Sequence, residues 1–134
     1  MALDNVVIRT SLIDRLKSNL AITIVVPASE IREYQWQGTD FTYPNIRLHI
    51  TRNEPKNASC DVAEIEFSVF VFSELDSSIE AERIAGIINS ELHARSFSVG
   101  TTRFSLWRTN LVSAIRIDLR TWRSEVIFRG IVTG

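Results

Sequence analysis

Between Asp61 and Ser73 the chain alternates. Ala63, Ile65, Phe67, Val69 and Val71 share one face, while Val62, Glu64, Glu66, Ser68, Phe70 and Phe72 share the other. Period two with β-branched and aromatic content predicts a strand. Its first half has a wet face carrying Glu64 and Glu66. Its second half is apolar on both faces, which predicts cover on both sides. The pattern then changes period. Ala81, Ile84, Ala85, Ile88 and Leu92 recur at helical spacing, with Ile87 beside them, predicting a helix over about residues 78–95. Ser77 and Glu80 have the spacing of a capping box. Acids lead this helix, and His93 and Arg95 end it, the order the helix dipole favours. His93 is expected to meet the last carbonyls. Gly86, inside the helix, suggests a close backbone neighbour.

The flanking stretches are weaker signals. Residues 4–20 read as one helix in which Leu3, Val6, Val7, Ile13, Leu16 and Leu20 return to one face, with Leu12 beside it and Asp4 or Asn5 as cap. A second reading starts with a short strand at 6–8 and the helix at Ser11. An apolar, β-branched run over 21–26 stops at Pro27, and residues 30–36 read as a short edge strand. Ile46, Leu48 and Ile50 alternate with Arg47, His49 and Thr51, a half-buried strand that pairs through the polar connection 53–59 with the central strand as an antiparallel hairpin. Residues 96–102 read as a loop, 104–108 as a strand, 113–122 as an alternating strand and 125–132 as the last one. The order predicts an α+β fold: a mainly antiparallel sheet with two helices packed on one face.

At 134 residues the expectation is a single domain over 1–134, large enough for a core without staples. The one cysteine, Cys60, excludes an internal disulfide framework. No apolar run is long enough to span a bilayer, and the N-terminus lacks the pattern of a signal peptide. Charge type says more than the net value of −1. Lys17 and Lys56 are the only lysines, and all other bases are arginine, the cation more readily buried at protein interfaces. Residues 61–91 are rich in acid and residues 103–129 in arginine. These stretches can pair within one subunit or between neighbours.

Catalytic chemistry is not apparent. His49 and His93 lie outside any metal-ligand spacing, Cys60 has no local feature of a nucleophile, and no phosphate-cradling glycine loop is present. No metal and no cofactor is expected. Glu64 and Glu66, at i and i+2 on a strand, read as a solvated face rather than an acid–base pair. Trp107 and Trp122, each followed by arginine, suggest a stacking surface for nucleic acid, but the net charge is that of a protein without a dedicated nucleic-acid role.

Taken together, the run DNVVIRTSLIDRLKSNL, the Pro-led strand FTYPNIRLHIT, the strand AEIEFSVFVFS, the acidic turn ELDSS, the helix IEAERIAGIINSEL and the terminal strands SAIRIDLRTW and EVIFRGIV resemble the tail terminator (tail completion) proteins of long-tailed bacteriophages, the lambda type. The resemblance spans nearly the whole chain and is one of element order. It departs at 22–36 and at the terminal hairpin 116–132. It implies a virion protein that assembles with itself into a ring, commonly a hexamer, on the head-proximal end of the tail. Its partners would be the tail tube protein and the head–tail connector, with DNA passing through unrecognised and no membrane contact. Within that reading Glu64, Glu66, Arg116, Arg120 and Arg123 are candidates for the contact between neighbours. Asn53, Lys56 and Asn57 in the polar connection, and Glu74 and Asp76 in the acidic turn, are candidates for axial contacts. The competing readings are a neck adaptor of similar fold, a monomeric interaction module, and a small enzyme.

Overall fold

The computed structural model describes residues 3–59, 61–75 and 77–134. Cys60 and Asp76 therefore lie outside the described residues. The elements are α1 (Asn5–Ser18), α2 (Leu20–Thr23), a 3-10 turn at Ala28–Glu30, β1 (Ile31–Glu33), β2 (Asn45–Pro55), β3 (Val62–Ser73), α3 (Ile79–Leu92), β4 (Arg95–Val99), β5 (Thr102–Arg116) and β6 (Trp122–Thr133).

The strands form one six-stranded sheet in the order β1-β2-β3-β6-β5-β4. The α+β class holds, but the sheet is mixed: β1 runs parallel to β2, and the remaining pairs are antiparallel. The hairpin expected between β2 and β3 is present. The core face of β3 is the one the alternation gives, with Ala63, Ile65, Phe67, Val69 and Val71 all buried. Phe67 stacks on Phe128 of β6, ring centroids 5.3 Å apart. The sheet curls about the helices. The first helix, α1, packs against β1 and β2 and reaches β4, and α3 packs against β3, β5 and β6. One hydrophobic core includes side chains from both.

For α3 the buried set is the expected one: Ala81, Ile84, Ala85, Ile88 and Leu92. Its ends differ. Ser78 is the N-cap without a side-chain bond, and Glu80 accepts from Ser73 Oγ at 2.7 Å rather than closing a capping box. His93 Nδ1 accepts the Arg108 N–H at 2.8 Å instead of meeting helix carbonyls. Glu82 likewise accepts the Ala114 N–H. Glu82 of α3 and the helix's C-cap His93 thus satisfy backbone donors of β5 beyond the part that β4 covers. A Cβ on Gly86 would meet nothing within 4 Å, so no close neighbour explains that glycine.

Other corrections have local causes. Asp4 caps α1 by accepting the Val7 N–H at 2.8 Å. The buried stripe of α1 is Ile8, Ser11, Leu12 and Leu16, while Val6 and Leu20 are exposed. Asn19 ends α1 and accepts the Ile22 N–H, so the apolar run that follows begins as a helical turn, not a strand. Its two fully buried anchors are Ile22 and Val26. Pairing with β5 draws 95–99 into a strand, where the pattern predicts the helix end at 95 and a loop over 96–102. The alternation over 113–122 is the end of β5, a turn and the start of β6. Asp118 Oδ1 accepts the N–H groups of Arg120 and Thr121, both at 3.0 Å, and side-chain capping of this kind makes a turn rather than a strand.

Candidate assembly surfaces

The register puts Glu64 opposite Ile131 and Phe72 opposite Arg123. Eight residues of strand separate these ends, roughly 26 Å. The outer face of the sheet, away from the helices, therefore has two distinct ends.

At one end the chemistry is ionic. Glu64 is bonded to Arg129 and lies 3.1 Å from Lys56 Nζ and 3.3 Å from Arg52. Glu54 joins the network at 2.6 Å from Arg52 and 3.2 Å from Lys56. The Arg129 bond first, and Lys56 second, hold the Glu64 carboxyl down to about 2, below the ordinary carboxylate range. Glu66 stands opposite Arg52 and Arg129 in register. Asn53 is part of β2, not of the loop, and its amide bonds Leu3 O and Asn5 Oδ1, both at 3.0 Å. Asn57 bonds Asp61 and so shapes the β2–β3 turn. Of the candidates placed here, Glu64, Lys56, Asn53 and Asn57 are thus already engaged within the chain.

At the other end the chemistry is aromatic and apolar. Residues 34–43 fold over the outer face, with the Tyr34 ring 4.7 Å from Phe70. This supplies the cover that the two-sided apolar half of β3 requires. Arg32 stacks over Trp36 at 3.7 Å. Arg47 is buried, donates to Glu30 O at 2.6 Å and faces Glu30 Oε1 at 3.5 Å. Burial pulls the Arg47 guanidinium below its ordinary range, against the pull of Glu30. Gly38 is obligatory in this arrangement, because a Cβ there would lie 1.9 Å from the Trp36 ring. A cleft of about 290 Å³ results, lined by Tyr34, Trp36, Phe41, Tyr43, Phe72 and Arg47 among others. Beside it on the sheet, Arg123 lies 5.5 Å over Phe70.

Arg116 and Arg120 flank the β5–β6 turn, and with Glu74, Leu75, Leu119 and Trp122 they line a shallow groove. Among the described residues none of Arg116, Arg120 and Arg123 forms an ion pair. The acid-rich and arginine-rich stretches are joined in one subunit by the Arg129–Glu64 pair. The structure does not bring Glu64 and Glu66 near Arg116, Arg120 and Arg123; they stand at opposite ends of the sheet.

The aromatic cleft was not a sequence-level candidate. The available signal was density: residues 34–43 hold Tyr34, Trp36, Phe41 and Tyr43, which include both tyrosines of the chain. Among the described residues there is no cluster of His, Cys, Asp and Glu able to hold a metal ion, and no helix is long and apolar enough to cross a membrane.

The curled α+β sheet carries this ionic and aromatic chemistry on its outer face. A chain in the solved structure "Virion of native gene transfer agent (GTA) particle" superposes with a TM-score of 0.72 over 94% of both chains, at 15% identity. At that identity the likeness is one of fold. No curated protein matches the sequence. Residues 10–133 match the family described as "Tail completion protein gp17", and the chain belongs to that family. It is a structural protein of a phage tail.

Proposed function

We propose that the protein closes into a ring, a hexamer, on the head-proximal end of the tail tube. There it ends tube growth and offers the opposite face to the head connector. The observation that supports this most is the family match over residues 10–133. Physically, capping needs a subunit whose two ends differ, because one face of a ring must meet the tube and the other must not. The ionic cluster of Glu54, Lys56 and Glu64 and the exposed apolar side chains Leu75 and Ile79 lie at opposite ends of β3 and differ in this way. A head-to-tail contact that closes on itself gives a finite ring. The mechanism is surface complementarity, without bond making, and DNA passes through the hole without specific contact.

The axial contacts in this reading involve Lys56 and Asn57 at one end, with Asn53 behind them, and Glu74 at the other. The neighbour contacts involve Glu64 and Glu66 on one subunit and Arg116, Arg120 and Arg123 on the next. Light scattering behind a sizing column tests the ring directly, and a mass of one subunit at all concentrations, alone and with tube protein, overturns it. Arg120→Glu and Glu64→Arg are expected to move the protein from ring to monomer. If neither does, the charge pairing is wrong even where the ring stands.

A further inference from the structure

We propose that Leu119 of one protomer seats in the aromatic cleft of its neighbour, an inference that rests on the ring reading above but replaces its charge pairing, since Arg120 beside a seated Leu119 meets the Asp40 end of the neighbour and not Glu64. Leu119 is 87% exposed, the most exposed of the large apolar side chains among the described residues. It does not sit on a loose loop. The Ile117 N–H donates to Thr121 O at 2.9 Å, and Asp118 Oδ1 accepts from Arg120 and Thr121. At the base of the turn, Trp122 Nε1 donates to Leu75 O at 3.1 Å. The turn therefore presents an apolar knob whose ordering cost is already met in the free chain. Ile115 and Ile117, 48% and 43% exposed, extend the apolar surface behind it.

The cleft is the matching half. Its walls are Tyr34, Trp36, Phe41, Tyr43 and Phe72, and the two arginines beneath Trp36 are both turned to Glu30. Tyrosine, tryptophan and arginine around a small pocket are the composition of interface hot spots. The placement also fits. Phe72 is paired with Asn45 on one side and Arg123 on the other, so cleft and turn lie at the same end of the sheet. They sit on different flanks, the cleft by β1 and β2 and the knob between β5 and β6. A contact of two unlike patches on different flanks is the head-to-tail kind that builds rings. Charge agrees. Arg116 and Arg120 flank the knob without ion-pair partners among the described residues. Asp40, exposed, lies between the cleft residues Gly38 and Phe41.

The test replaces Leu119 with the photo-crosslinking residue p-benzoylphenylalanine, in protein whose ring mass has been established by light scattering. Irradiation is expected to join it to residues 34–45 of another copy, located by peptide mass spectrometry. Crosslinks to any other part of a neighbour, or none within an established ring, overturn the cleft assignment and leave the ring. A monomer that does not assemble on tube protein overturns both. In parallel, Leu119→Asp is expected to weaken assembly roughly tenfold or more with the melting temperature of the monomer unchanged. Unaltered assembly counts against the proposal.

Discussion

The two ends of the outer sheet face solve the same problem differently. At the Glu64 end the exposed charges answer one another: Glu54 and Glu64 face Arg52, Lys56 and Arg129. At the Phe72 end one buried carboxylate, Glu30, serves two arginines, and the aromatic and aliphatic groups around it remain half open to water. Exposed ion pairs already satisfied within a subunit gain little by meeting a neighbour. Half-open aromatic surface gains from every part of its area removed from water. The difference teaches that a concentration of charge in the sequence is a poor guide to where association energy resides. The end with fewer satisfied groups is the better place to look.

The comparison breaks most visibly at Arg47. Its side chain and that of Glu30 are 9% and 6% exposed. Arg47→Ala leaves Glu30 buried with only Arg32, 3.8 Å away, and removing one partner of a buried pair costs about 3 kcal/mol. Urea unfolding at neutral pH should show a loss of that order, with a much smaller one for Arg129→Ala at the ionic end. Equal losses would mean that the two ends are held alike.

Between the ends, α3 gives a smaller effect of the opposite sign. Since a Cβ at Gly86 meets nothing, Gly86→Ala should stabilise the chain by about 1 kcal/mol, read as a higher urea midpoint. Stabilised monomers that no longer assemble would place this helix face against a neighbour in the ring.

What was legible in the sequence follows from the same contrast. The elements β3 and α3 were legible in face and nearly in bounds, because a buried face imposes its period on every second or every third and fourth residue. The stripe of α1 was not. Apolar residues surround that helix, so periodicity puts Val6 and Leu20 on the stripe and leaves Ile8 off it, and only packing chooses. Residues 113–122 alternate without being a strand throughout, since alternation cannot reveal that the Asp118 carboxylate closes a turn. Residues 95–99 gave too weak a pattern for a strand and became one through pairing with β5. For the site, the arginines and glutamates were visible as residue types, but their partners were not. Glu64 finds Arg129 across 65 residues. The cleft joins residues 34–47 to Phe72, a meeting that only the register of β2 on β3 brings about.

The smallest predicted effect sharpens the comparison at its ionic end. Glu64 has its carboxyl held at about 2 against an ordinary value of 4.5, by Arg129 first and Lys56 second. A depressed folded-state pKa contributes stability that is present above the unfolded value and lost as pH falls through the folded one. The contribution of Glu64 should therefore be intact above pH 4.5 and disappear between about 4.5 and 2. Melting curves from pH 7 to 2 on wild type and Glu64→Gln isolate it. Glu54, Asp61 and Asp118 also titrate below their ordinary ranges, because of hydrogen bonds from Arg52, Asn57 and the Arg120 backbone respectively. Asp61 and Asp118, which share no partner with Glu64, slope both curves alike. The wild type should melt slightly higher at neutral pH, and the curves should converge across that window. Curves that stay parallel down to pH 2 would mean that the Glu64 network is screened by water and adds nothing to the fold. The ionic end would then be free to rearrange against a partner, and the contrast between the two ends would lose its basis.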